Sequence, residues 1–151
     1  MFQKILVPVD ASDLTLQAVE VALSLADRFG SEVVLLHIRK KAATLEHGDA
    51  EVELDDIEAQ SKRLLALGLA RLRNDHSVKA SQVSSEVRAG PVVQIIEEAA
   101  EELMVGLIVM GTHGRHRVSE VLTGSTAEQV VVKTSASVLV VKPEGYPFLR
   151  D

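Results

Sequence analysis

The feature that most constrains this chain is its alternation of short β-branched runs with longer amphipathic stretches, sustained from end to end. Parallel strands need a long connection, and a helix supplies it, so such an order specifies a parallel sheet covered by helices. The strand-like runs are Lys4–Val9 (KILVPV), Glu32–Ile38 (EVVLLHI), Val83–Val87 (VSSEV), Leu107–Met110 (LIVM) and Ser137–Val141 (SVLVV). Proline removes a ladder donor, so Pro8 belongs at the carboxyl end of the first strand, where the strand opens into a loop. The third run alternates apolar and polar residues and reads as a half-exposed edge strand.

Between these runs lie four helical stretches. The first carries Leu14, Ala18, Val21, Ala22, Leu25 and Phe29 at helical spacing, with Ser12 or Asp13 to cap its start and Gly30 to end it in a left-handed turn. The second runs from Glu51 to Arg73 with Ile57, Leu64, Leu65, Leu69 and Leu72. Gly90-Pro91 opens a third, with apolar residues Val92, Val93, Ile96, Ala99, Ala100 and Leu103. The fourth spans Ser125 to Lys133. The order is βαβαβαβαβ, and at 151 residues with no internal linker or repeat it amounts to one α/β domain.

Composition excludes several functions. There is no cysteine, which removes disulfides, thiolate zinc sites and cysteine nucleophiles. A net charge of -6 and 3% aromatic residues offer neither phosphate neutralisation nor stacking platforms for nucleic acid. No apolar run approaches the roughly 18 residues of a membrane span, and the start Met1-Phe2-Gln3-Lys4 leads straight into a strand rather than a secretory signal. A cytoplasmic location is the expectation.

In an open, doubly wound sheet, ligands bind beyond the carboxyl ends of the strands, where strand order reverses. Asp10, Ile38 and Met110-Gly111 end the first, second and fourth strands, and all belong to that edge. Gly111-Thr112-His113-Gly114-Arg115-His116-Arg117 follows at once, and Gly124-Ser125-Thr126 then stands at a helix start. Glycine lets backbone amides approach an oxyanion closely, successive amides form an anion nest, and the first amides of a helix point outward unsatisfied. Any one of these glycines is by itself an ordinary turn residue, and Ser125-Thr126 by itself an ordinary cap. Their convergence on one sheet edge points to a phosphate ligand, with Arg115 and Arg117, otherwise ordinary solvated loop charges, as charge partners for it. Neither GxxxxGK[ST] nor GxGxxG occurs. His37 lies in an apolar strand and reads as a core side chain, while His113 and His116 have no third metal ligand nearby in sequence other than Glu120, which argues against a tight zinc site. No nucleophile–base pair is visible, so no catalytic residue is assigned.

The residues ILVPVD (Ile5–Asp10), SVLVVKP (Ser137–Pro143) and above all Gly111-x2-Gly114-x9-Gly124-Ser125 resemble the universal stress protein family (UspA-like) in its ATP-binding branch, whose signature is G-2x-G-9x-G-[S/T]. The resemblance implies an open five-stranded parallel sheet of order 3-2-1-4-5, with helices on both faces, of the adenine-nucleotide alpha-hydrolase-like type. It implies ATP, ADP or AMP between the first and fourth strands. Pro8 and Val9 would wall the base, Asp10 would contact ribose and adenine, and the Ile38 backbone would meet the adenine edge. Met110 and Gly111 would line the ribose end, with His113 and Arg115 in the loop. Gly114, Gly124, Ser125 and Thr126 would hold the phosphates, with Mg2+ or Mn2+ carried by phosphate oxygens rather than by side chains. Ala11-Ser12, Val105-Gly106 and Ser137 depart from residues common in the family, but none lies in the glycine signature.

The resemblance also implies a homodimer through the last strand, Val138, Leu139, Val140 and Val141, whose apolar edge invites a partner. Residues 1–142 form the expected domain and 143–151 a C-terminal extension. The function expected is a nucleotide-dependent stress or signalling module acting on a protein partner, with at most slow hydrolysis. The alternative is a nucleotide-independent interaction dimer of the same family.

Overall fold

In a computed structural model the described residues are 2–9, 13–39, 82–111 and 126–142, with the helical positions Ala59, Lys62, Arg63, Ala66 and Leu67. In chain order they form β1 (Lys4–Val9), α1 (Asp13–Phe29), β2 (Glu32–Arg39), β3 (Val83–Ala89), α2 (Val92–Glu102), β4 (Leu107–Gly111), α3 (Thr126–Lys133) and β5 (Ser137–Val141). The five strands make one parallel sheet of order β3-β2-β1-β4-β5, as the resemblance implies. β2, β3 and β4 each run one or two residues past their sequence-expected ends. The remainder of the expected 51–73 helix and the 143–151 tail lie outside the described residues.

The pleat sends alternate residues to opposite faces, and each face has its own core. Ile5, Val7, Val9, Val33, Leu35, Leu107 and Val109 pack under α1. Leu6, Val34, Leu36, Ile108 and Met110 pack under α2 and α3. Fully burying one such side chain contributes about 1.5–3 kcal/mol. The near-continuous apolar runs of β1, β2 and β4 are thus explained by cover on both sides.

The buried stripes of α1 and α2 differ from those expected. On α1 the residues against the sheet are Leu16, Ala18, Val19, Ala22, Leu23 and Ala26; Val21 and Leu25 are only partly buried and Phe29 is 51% exposed. Ala18, Ala22 and Ala26 form an i, i+4, i+8 ridge that brings the helix axis close to the strands, and this outweighs the bulkier stripe. Phe29 instead meets Phe2 edge to face, with ring centroids 6.1 Å apart. On α2, Ile95 joins Ile96, Ala99 and Ala100 in the core while Val92, at the rim of the first turn, is exposed. Gly30 ends α1 at φ 67, its amide donating to the Ala26 carbonyl at 2.8 Å, as its position predicts.

Candidate functional site

The carboxyl ends of all five strands share one edge, and their ladders stop at different heights. β1 and β4 pair only at Ile5–Leu107 and Leu6–Ile108, whereas β4 and β5 pair along their full length to Gly111–Val141. β1 and β2 pair from Lys4–Glu32 to Val9–His37, but β2 and β3 continue through Ile38–Arg88 to Arg39–Ala89. β1 itself runs on to Val9, level with Gly111 by register, so it and β4 part above Leu6–Ile108. Beside it, β4 and β2 present backbone that β1 does not pair: Val109 to Gly111 on one side, and Ile38 and Arg39 on the other. Pro8 fits this geometry, because it pairs with Leu36 of β2 while the ladder to β4 has already ended.

This notch is the topological switch point. From β1 the chain winds outward through α1 to β2 on one face of the sheet, and from β4 it winds the other way through α3 to β5 on the opposite face, so the connections that leave these two neighbouring strands diverge. At its rim Pro8, Ile38 and Met110 fall on the α2 face by strand alternation, Met110 buried and Ile38 partly so. Val9 turns the other way, into the core under α1 at 9% exposure, so it can offer a ligand its backbone rather than its side chain. Gly111 ends β4 partly exposed. Thr126 is the exposed first residue of α3, where helix amides lack intrahelical acceptors. Glu128 stands in the same turn, so an anion there would meet a carboxylate as well as amides. Asp10, His113, Gly114, Arg115, Gly124 and Ser125 lie outside the described residues.

Two residues named in the sequence take their place at this edge only in the folded chain. His37 is 3% exposed at the last pair shared by β1 and β2, and burial pushes its imidazole below the ordinary value of 6.5. Its burial was legible in the apolar run, but its place at the rim depends on where the ladder ends. Gly90 takes φ 148 and donates its amide to the Arg39 carbonyl at 3.0 Å, tying the end of β2 to the start of α2. Among the described residues no three His, Asp or Glu side chains gather in a metal-binding cluster, and no helix is long and apolar enough to cross a membrane.

Fold and notch together define an open, doubly wound α/β domain with a crevice at its switch point. The sequence profile of Usp, the universal stress protein family, matches residues 1–142, and the chain belongs to that family. Universal stress protein MJ0577 of Methanocaldococcus jannaschii is 30% identical over 159 residues, covering 94% of this chain and 96% of that one. Its solved structure superposes with a TM-score of 0.72 at 26% identity, over 96% of this chain and 99% of that one. Universal stress protein MJ0531 of the same organism is 29% identical over 145 residues, covering 94% of this chain and 83% of that one. A universal stress protein solved in complex with cAMP has a TM-score of 0.72 at 22% identity, covering 93% and 97%, and shows the likeness of fold alone.

Proposed function

We propose that the chain is an adenine-nucleotide-binding module that takes ATP, or ADP or AMP, in the notch between β1 and β4. The observation that carries this reading is the early end of the β1–β4 ladder, directly beside the strand from which the glycine signature departs. The backbone of Ile38, past the last β1 pair, suits the adenine edge; Pro8 and the Val9 backbone lie beside it, with Asp10 next in sequence. Met110 and Gly111 would line the ribose, and the His113–Arg115 loop with Gly124, Ser125 and Thr126 would receive the phosphates. Mg2+ or Mn2+ would arrive on phosphate oxygens and water. With no base assigned to activate water, occupancy rather than turnover would be the signal, passed to a protein partner.

Thermal unfolding with and without Mg-ATP tests this. Ligand at about 100 times its dissociation constant should add ~2.7 kcal/mol of stability. Gly114→Val and Gly124→Val should abolish that gain and leave the ligand-free transition in place. A wild-type transition that ATP does not move would return the nucleotide-independent interaction dimer to first place.

A second copy is the partner we propose for β5. Both outer strands are open on one side among the described residues, but they differ in character. β3 is guarded by charge: Arg88 Nη2 lies 2.7 Å from Glu86 Oε1 and 2.8 Å from Glu102 Oε2. β5 carries no charge from Ser137 to Val141, and Leu139 is 39% exposed. An uncharged apolar edge pairs with another copy more readily than a charged one.

A further inference from the structure

α3 is the element shared by the two binding events proposed above. Its first residue, Thr126, belongs to the phosphate end of the notch, and the chain leaving its last turn enters β5. It is eight residues long and buries Ala127 and Val130 alone, whereas isolated helices shorter than about 12–15 residues are marginal in water. Its position therefore depends on what holds its ends and flanks. We propose that nucleotide and a second copy of the chain bind cooperatively because both grip α3, the phosphates at its start and the partner's α3 along the flank that carries Val131. The inference rests on the nucleotide reading and the β5 pairing above and adds the linkage between them.

The flank follows from the handedness of the fold. A right-handed crossover takes α3 down the face of β4 and β5, antiparallel to both. Ala127 and Val130 face the sheet, and successive helical residues turn by about 100°. The step from Val130 carries Val131 outward past β5, and the next leaves Val132 pointing away from the sheet; they are 53% and 79% exposed. Thr126, at the start of the helix, falls on the other flank, toward the notch. On the opposite face of the sheet Leu139, in register with Val109, is 39% exposed at the same edge. Exposed apolar side chains thus flank the uncharged β5 edge on both faces, and a partner that continues the sheet covers both at once. Antiparallel pairing about a two-fold axis normal to the sheet does this, and it keeps the two α3 helices on one face. With strands about 4.8 Å apart, two helices each seated over a β4–β5 pair lie roughly 10 Å from one another, the distance of packed helices. Nucleotide and partner then order the same short helix, so whichever binds second meets less of the ordering cost. Such coupling is reciprocal.

The experiment follows the monomer–dimer equilibrium of the full chain by sedimentation over a dilution series, with and without saturating Mg-ATP, and measures Mg-ATP affinity above and below the dimer dissociation constant. Wild type, Val131→Glu and Val132→Glu are compared. Saturating Mg-ATP should lower the wild-type dimer dissociation constant at least about fivefold, the lower end of ordinary coupling, and the dimer should bind Mg-ATP correspondingly more tightly than the diluted monomer. Val131→Glu should weaken the dimer and, at concentrations where wild type is dimeric, bind Mg-ATP no more tightly than the wild-type monomer. Val132→Glu, at the more exposed position, should match wild type in both. Dimerisation that Mg-ATP leaves unchanged or weakens, or a Val131→Glu that dimerises like Val132→Glu, overturns the inference while leaving nucleotide binding and β5 pairing intact. A wild type that binds no Mg-ATP, or that stays monomeric at every concentration with or without it, removes the corresponding reading and the inference with it. If Val131→Glu does not fold, Leu139→Lys takes its place: its monomer should bind Mg-ATP as weakly as diluted wild type, and affinity equal to that of the wild-type dimer overturns the proposal.

Discussion

Met104 takes φ 54 at the end of α2, a left-handed conformation that L side chains adopt at a cost of about 1–2 kcal/mol. The hydrogen bonds explain why it does so. The Val105 amide donates to the Ala100 carbonyl at 2.9 Å and the Met104 amide to Glu101 at 3.1 Å, the paired bonds of a Schellman cap, a position that favours glycine. The side chain is 85% exposed and contributes little packing in return. Met104→Gly should therefore raise stability by about 0.5–1 kcal/mol in a denaturant titration, since relief of the left-handed strain exceeds the entropy glycine adds to the unfolded chain. Gly90 is the opposite case. Its φ of 148 is glycine territory, and a Cβ there would stand 3.0 Å from Ile95 Cδ1 and 3.1 Å from Cγ1, against a side chain that is itself buried. Gly90→Ala should cost about 2 kcal/mol, and an unchanged denaturation midpoint would show that this turn relaxes freely. At this scale the sequence was uneven. Gly30 and Gly90 were marked by their places beside a helix end and a proline, whereas a left-handed methionine leaves no signal of its own.

Elements were legible in kind and less so in orientation. Each β-branched run became a strand, because covered parallel strands are apolar on both faces, and the edge strand β3 was marked by its polar alternation. The rotation of α1 was not legible. Apolar residues occupy much of its circumference, and the alanine ridge that sets the contact gains its advantage only once the sheet is there to approach. α2 carries a further consequence. Glu97, Glu98, Glu101 and Glu102 crowd its C-terminal half, where the helix dipole disfavours negative charge, and Glu97 and Glu101 are four residues apart. Of these four, only Glu102 has an ion-pair partner among the described residues, Arg88 at 2.8 Å. Glu101→Lys would remove one repulsion, complement the dipole and create a Glu-to-Lys pair with Glu97. Thermal unfolding should show a gain of about 0.5–1 kcal/mol, diminishing at high salt, and a salt-independent effect would argue against an electrostatic origin.

For the whole molecule, the two outer strands differ in what they expose, and the proposed dimer follows from that difference. Leu139→Lys places a charge on the β5 edge at a position already 39% exposed, so the monomer fold should survive. Light scattering at micromolar concentration should then show a change from twice the chain mass to one, whereas a wild-type monomer would refute the pairing. The sequence by itself determined the order of the described elements, the parallel sheet and the family, since all of these are written in local periodicity and in short spacings along the chain. Only the tertiary structure decided that β1 and β4 part above Leu6–Ile108, that Val9 turns into the core while Pro8 and Ile38 share the other face, and that His37 is buried at the last pair of β1 and β2. Those outcomes depend on how far each ladder runs and how each helix is rotated, and both are set by packing between segments far apart in sequence.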